Sequence, residues 1–312
     1  MQVVAYTAQR CDEWNSFVSE AKNATFLFSR SYMDYHQDRF RDSSLMVYDH
    51  RQRLFALFPA NRVGETVFSH QGLTYGGLVI GGKATAAEVC EAMTAVNGHL
   101  RKEGVERLVC KALPYIYCAV PSDEPLYAFT EVCHARLVSR DIASVVSYEH
   151  QLPSTELRRR GKRKAERQGI RVAYSDDFPA FWAILSENLH TKYGARPVHT
   201  LEEILLLKSR FPQSIRLLAA FEQQQMVAGT VLYLTPRVVK TQYISASPRG
   251  KDVCALDLLF SRLMAEPPGS QAYLDMGTSA LEHGSQLLLP LIFQKEGFGA
   301  RAVCYDTYEW TL

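Results

Sequence analysis

The chain lacks any run of about 18–20 apolar residues, the length a membrane-spanning helix needs. Its longest candidate, LLLPLIF at 287–293, is short and carries a proline. The opening stretch MQVVAYTAQRCDEW has neither the basic start nor the apolar stretch of a secretory signal. A cytoplasmic protein without a membrane span is therefore expected. Seven cysteines, at 11, 90, 110, 118, 133, 254 and 304, are odd in number, scattered and without a CxxC pair. That disfavours a disulfide framework or a zinc knuckle, and no metal site is expected. The absence of G-x-S-x-G argues against a serine hydrolase, and that of GxxxxGK[ST] leaves ATP use without support. Excess charge is scarce as well: 35 Lys+Arg against 33 Asp+Glu give a formal +2.

What is present is ordinary globular composition, 47% hydrophobic and 22% charged, so disorder is excluded. A length of 312 residues favours two domains, read as 1–150 and 151–312. The near-neutral total hides one basic segment. RRRGKRKAERQGIR, Arg158–Arg171, holds eight Lys/Arg and one Glu, leaving 27 Lys/Arg against 32 Asp/Glu elsewhere. Any argument for a polyanionic ligand rests on that segment.

The two halves repeat one order of elements. In the first, CDEWNSFVSEA and SRSYMDYHQDRF read as helical, and SLMVYD, LFALFPANRV and ETVFSHQGLTYGGLVI as strands. The amphipathic helix TAAEVCEAMTAVNGHLRKEG, started by Thr85 and stopped by Gly104, leads to the strand VERLVCKAL, a short helix and a closing strand. In the second, FPAFWAILSENLHTKY and TLEEILLLKSRF read as helices, the latter with a Thr200/Glu203 capping box. Three strands follow (IRLLAAFE, MVAGTVLYLTP, VVKTQYISASP), then the helix KDVCALDLLFSRLMAE, the strand AYLDMG, a short helix and the strand ARAVCYDTYEW. Hairpin strands followed by a crossover helix and a further strand make a mixed α/β sheet, here twice.

This order resembles the N-acetyltransferase-like (GNAT) fold, so two tandem GNAT-like domains are expected. In such a fold, ligand phosphates are expected at the N-terminus of the crossover helix, where unpaired N–H groups favour anions. The junction in the second half is Pro248-Arg249-Gly250-Lys251, which puts Arg249, Gly250 and Lys251 forward as cofactor contacts. SPRGKDVCA departs from the Arg/Gln-x-x-Gly-x-Gly/Ala signature of coenzyme A-dependent members. Two GNAT-like units, a basic helix opening the second, and Phe293-Gln294-Lys295-Glu296-Gly297-Phe298-Gly299 together resemble the Fem-type transferases. These carry an F-K-x-G-F-G-like segment and add amino acids from aminoacyl-tRNA to peptidoglycan precursors. The resemblance implies an acyl or aminoacyl transferase acting on an amine of a cell-envelope precursor. It leaves acyl-CoA and aminoacyl-tRNA as the two donors, with tRNA a partner in the second case, and sets Lys295 on the family's functional lysine.

Several side chains could serve such chemistry. A fixed cation at Lys295 can stabilise the oxyanion that develops when an amine attacks a carbonyl; the plainer reading is a solvated lysine near a helix end. On a helical wheel Arg158, Arg159, Arg160, Lys162, Arg163 and Lys164 leave only a narrow stripe, Leu157, Gly161, Ala165 and Gln168, for packing. This is a polyanion-binding candidate or a solvated helix. His199, before the helix started by Thr200, is a candidate base or ligand contact. Tyr243 in the second half, and Tyr32, His36, Arg39, Ser69, His70 and Tyr75 in the first, are candidate substrate contacts. Tyr32, His36 and Arg39 recur with Tyr35 at helical spacing and form one polar-aromatic face, fit for a ligand or for a domain interface. Asp275 and Gly277, at a strand end followed by Glu282 and His283, stand where a splayed sheet would expose a site. Two further readings stay open: a coenzyme A-dependent enzyme acting on a nucleotide sugar, and a non-catalytic RNA- or partner-binding protein using the basic helix.

Overall fold

The structure, a computed structural model, describes every residue except 282 and 283, and the side chain at 193 is left undescribed. Glu282 and His283 thus lie outside the described residues. Among those described, no helix is long and apolar enough to cross a membrane. The chain divides into two compact units: Met1–Ile142 with Ala280–Gln286 and Cys304–Leu312, and Ala143–Ser279 with Leu287–Val303.

The first unit contains β1 (Gln2–Ala5), α1 (Cys11–Glu20), α2 (Arg30–Met33), β2 (Leu45–Tyr48), β3 (Leu54–Phe58), β4 (Asn61–Val63), β5 (Thr66–Phe68), β6 (Val79–Ile80), α3 (Ala86–Lys102), β7 (Arg107–Lys111) and α4 (Glu124–Glu131). Strands β1, β2, β3 and β6 form one antiparallel sheet. Helix α3 begins with a capping box, Thr85 with Glu88, and its apolar stripe Val89, Met93, Val96 and Leu100 is buried with Phe58, Ile80, Leu108 and Phe129. Two expected strands are each split. LFALFPANRV breaks at Pro59, which has no N–H to offer a ladder, and β3 and β4 then join different sheets. ETVFSHQGLTYGGLVI becomes β5 and β6 because the chain turns through Ser69–Gly77, with His70 at φ 65° and Gly77 at φ 96°.

The second unit takes up the end of β8 (Arg136–Ser147), then α5 (Glu156–Arg167), β9 (Ile170–Ser175), α6 (Phe178–Tyr193), α7 (Leu201–Arg210), β10 (Ile215–Glu222), β11 (Gln225–Leu234), β12 (Val238–Ala246), α8 (Pro248–Asp252), α9 (Ala255–Ala265) and β13 (Tyr273–Thr278). Two short strands follow, β14 (Ala280–Leu281) and β15 (Gln286–Leu287), then α10 (Leu289–Glu296) and β16 (Arg301–Thr311). From Cys304 onward β16 belongs to the first unit, where Thr307–Thr311 pairs antiparallel with β7, although the sequence reading closes the second half with it. In the second unit β9, β10, β11 and β12 form an antiparallel run, β12 and β13 are parallel, and β13 pairs antiparallel with β8.

The basic helix is shorter than its charge run. It stops at Arg167, Gly169 turns the chain at φ 71°, and Arg171 falls in β9, a strand the charge density concealed. Gly161 and Ala165 of the predicted stripe are buried against α9, whereas Leu157 is exposed. The expected helix 251–266 is two helices, broken at Cys254 with φ 60°. That break puts Asp257 in the first turn of α9, where it receives a hydrogen bond from Arg158 Nη1 at 2.8 Å. A Cβ on Gly161 would lie 2.1 Å from Asp257 Oδ2, so α5 approaches this ion pair at glycine distance. Gly161→Ala is expected to cost about 1–3 kcal/mol through overpacking, seen as a drop of several degrees in Tm. An unchanged Tm would show that the two helices are not held in such close contact.

Candidate active site

Strands β12 and β13 are in register over three pairs only: Val238 with Tyr273, Val239 with Leu274 and Lys240 with Asp275. Beyond that rung they part, β12 continuing to Ala246 and β13 to Thr278. A cavity of about 380 Å³ lies there, walled by Ile244, Ser245 and Ala246 from β12, Met276 from β13, Phe260 from α9 and Lys295 from α10. This is the splayed-sheet opening expected after Asp275.

The rung at which the strands part is charged. Asp275 is fully buried, and its Oδ2 lies 3.4 Å from the Lys240 ammonium while its Oδ1 accepts from the Gly277 amide at 2.7 Å. Lys295 is also buried and donates to the carbonyls of Gly277 (2.8 Å) and Thr278 (2.9 Å) and to Ser279 Oγ (2.9 Å). An ammonium has three hydrogens, and these three acceptors match that number. Lys295 therefore ties α10 to the free end of β13. It is not the solvated helix-end lysine of the plainer reading. Burial, with Lys240 adding repulsion and Asp275 opposing it, lowers the Lys295 pKa to about 8.

A second cavity, of about 660 Å³, shares Ala246, Lys251, Leu256 and Gln294 with the first, so the two adjoin. Its lining includes Arg158, Arg160, Arg163, Lys164, Arg167 and Lys251 against one acid, Asp257. That acid is already paired with Arg158. Glu156 accepts from Arg159, Arg160 and Arg163 on the exposed side of α5, which lowers its own pKa to about 2. Lys164 and Arg167 have no carboxylate partner among the described residues. The polyanion candidates thus divide. Arg158 is structural, Arg159 and Lys162 do not line this groove, and Arg160, Arg163 and Lys164 do.

The junction residues divide likewise. Arg249 is engaged by Glu222, at 2.9 Å and 2.5 Å, and by Gln168 at 3.2 Å. Gly250 is a packing glycine, since a Cβ there would meet the Val227 carbonyl oxygen at 2.1 Å. Lys251 alone reaches both cavities, with its Nζ on Asn188 Oδ1 at 2.5 Å. The first turn of α8 is capped by its own Ser247, whose Oγ accepts from the Gly250 amide at 3.1 Å.

His199 and Tyr243, far apart in sequence, are brought together. The Tyr243 hydroxyl contacts His199 Nδ1 and accepts from the His199 amide at 3.2 Å, and Trp182 packs edge-on to Tyr243. Neither residue lines the two cavities, and Thr200 is the cap of α7, its Oγ1 accepting from the Glu203 amide.

The candidates of the first unit are built mostly into its interior. Tyr32 is buried edge-on to Phe26. Tyr75 donates to Thr25 Oγ1 at 3.1 Å, and Ser69 Oγ accepts from the Lys111 amide at 2.9 Å. His36 and His70 are buried and stacked at 5.2 Å, and burial holds His70 neutral, with its pKa lowered to about 3. Arg39 is exposed and reaches over Tyr35. Arg30, also buried, pairs with Asp34 at 2.5 Å and Asp42 at 2.7 Å. The spacing of Tyr32, Tyr35, His36 and Arg39 marks a packed aromatic face with one exposed end.

Sequence reasoning missed the apolar walls, Leu189, Leu256, Phe260, Met276, Leu291 and Phe298, because they read as ordinary core. A usable signal existed in Lys240 and Asp275, the lone charged residues of their strands, which must meet a partner if buried. The pH dependence of stability checks this arrangement. With its folded pKa near 8 and its unfolded value near 10.5, Lys295 binds less proton when folded across that window. Its contribution must therefore rise with pH there, the burial penalty being complete below about 8. The stability difference between the native chain and Lys295→Met should shift toward the native chain from pH 8 to 10.5 in denaturant titrations. A constant difference would mean the amine is not depressed.

No family model matches the chain, and no curated protein matches it either. Solved structures do. FemX superposes with a TM-score of 0.68 at 11% identity, covering 100% of this chain and 98% of that one. L-PGS from Bacillus licheniformis gives 0.62 at 13%, covering 97% and 91%. A tandem GNAT protein from the clavulanic acid biosynthesis pathway gives 0.51 at 11%, covering 99% and 98%. At these identities the likeness concerns the fold, and the fold is Fem-like: two tandem GNAT-like α/β units in one chain.

Proposed function

We propose that the chain is an acyltransferase. It would bind a phosphate-bearing activated acyl donor in its second unit and transfer the acyl group to an amine of a cell-envelope precursor. The single observation that carries this reading is the continuity of a basic groove with a cavity at the parting of β12 and β13, with Lys295 in its wall. Both donors that the Fem-type resemblance leaves open, acyl-CoA and aminoacyl-tRNA, combine phosphates with an activated carbonyl. In this reading the phosphates lie against Lys164, Arg167 and Lys251 and the acyl group enters the cavity. The envelope acceptor rests on the resemblance of the Phe293–Gly299 segment.

The step is a simple displacement. The acceptor nitrogen attacks the carbonyl carbon, and the carbonyl π electrons move to oxygen. As they return, the bond to the leaving sulfur or oxygen breaks, and the leaving atom takes up the proton that the nitrogen loses. Lys295, its hydrogens engaged by Gly277, Thr278 and Ser279, acts on the developing oxyanion as a fixed charge. In a dry site such stabilisation is worth about 3 kcal/mol, near the loss of one oxyanion donor. Lys295→Ala is expected to lower kcat at least tenfold, measured at a temperature where circular dichroism shows the variant folded, since the Gly277 and Thr278 carbonyls also lose their donor. Lys164→Ala with Arg167→Ala should raise the donor KM about tenfold, with kcat little changed and the salt dependence of binding reduced. Full turnover in the Lys295 variant would defeat the assignment.

A further inference from the structure

We propose that the group transferred is an uncharged, apolar acyl chain, longer than acetyl, and not an α-aminoacyl group. This rests on the transferase reading above and concerns what the cavity accepts. Of the described residues that line it, Leu189, Leu256, Phe260, Met276, Leu291 and Phe298 supply hydrocarbon, and none is an aspartate or glutamate. The charged members are Lys192, Lys251 and Lys295, all of one sign. An α-aminoacyl ester carries an ammonium next to its carbonyl. Brought to Lys295, that ammonium would meet like charge and, among the described residues, no lining carboxylate. The nearest buried acid, Asp275, is not a lining residue and has both oxygens engaged, by Lys240 and by the Gly277 amide. A desolvated cation without a partner is among the costliest things a protein can bury.

Several of the polar lining atoms are already engaged. Asn188 Oδ1 receives Lys251, Ser245 Oγ donates to the Ile184 carbonyl at 3.4 Å, and Lys295 is held by three acceptors. A polar acyl group would find few hydrogen-bond partners. An acetyl group would leave most of a 380 Å³ apolar space unfilled, forgoing contacts that a longer chain would make. The adjoining groove supplies the complementary part, cations for the phosphates of the carrier, so chain and carrier would be recognised separately.

Calorimetric titration of the full chain with coenzyme A, acetyl-CoA, octanoyl-CoA, 2-aminooctanoyl-CoA and free octanoate tests this. Each buried methylene is worth about fourfold in affinity. Octanoyl-CoA is therefore expected to bind at least about thirtyfold more tightly than acetyl-CoA, and acetyl-CoA about as tightly as coenzyme A. The added amino group should weaken octanoyl-CoA at least about tenfold. Leu291→Glu, at a half-buried position, should reverse that preference by giving the ammonium a partner. Equal affinity for acetyl- and octanoyl-CoA, or no penalty for the amino group, overturns the inference and leaves the transferase reading in place. Octanoate binding as tightly as octanoyl-CoA overturns the transferase reading instead, because the groove would then recognise no carrier. Failure of every CoA species to bind, alongside salt-sensitive tRNA binding lost on neutralising α5, overturns the inference and leaves the transferase reading with aminoacyl-tRNA as its donor; binding of neither CoA nor tRNA overturns both.

Discussion

Two parallel strands that separate beyond a buried ion pair set the geometry of the second unit. Lys240 and Asp275 form the last registered rung between β12 and β13, and Asp275 also fixes the Gly277 amide, where the backbone turns at φ 76°. Past that point the ladder cannot continue, and the strand end needs other partners for its carbonyls. Lys295 supplies them by donating to Gly277 and Thr278. Burial, with Lys240 repelling and Asp275 opposing, depresses the Lys295 amine. The arrangement keeps the sheet open without leaving backbone polar groups unpaired.

Around that opening the sequence divides its work between packing and recognition. Helix α5 is charged on its outer side, yet Gly161 and Ala165 let it lie close to α9, and Arg158 anchors it to Asp257. The cations left over, Lys164 and Arg167 among them, turn toward a groove that adjoins the cavity. The junction before α8 is different from a phosphate-cradling loop. Its arginine is neutralised by Glu222, its glycine is packed against a carbonyl, and its first turn is capped by its own serine. The departure from the coenzyme A signature thus has a structural counterpart, residues engaged by the protein itself.

Much of the fold was legible in the sequence because local signals agreed with tertiary packing. The helix start at Thr85, the capping box at Thr200 and the 3–4 spacing of α3 all led to the observed elements. Errors came where one residue changed the chain's course: Pro59 between β3 and β4, Cys254 between α8 and α9, Gly169 before β9. Of the candidate site, Lys295, Lys251 and part of the basic helix were legible as charges with few structural reasons to exist. The apolar walls were not, since a leucine beside a cavity and a leucine in a core look alike in sequence. His199 and Tyr243 were singled out separately, and only the fold shows them in contact.

The central claim is that the parting of β12 and β13 holds an activated donor, with its phosphates on α5 and its acyl chain beside Lys295. A crystal structure with a non-cleavable thioether analogue of octanoyl-CoA tests it most directly. The account predicts the alkyl chain among Phe260, Met276 and Leu291, and phosphate oxygens within hydrogen-bond distance of Lys164, Arg167 or Lys251. An occupied ligand found anywhere else on the chain, with this cavity left open, would contradict it.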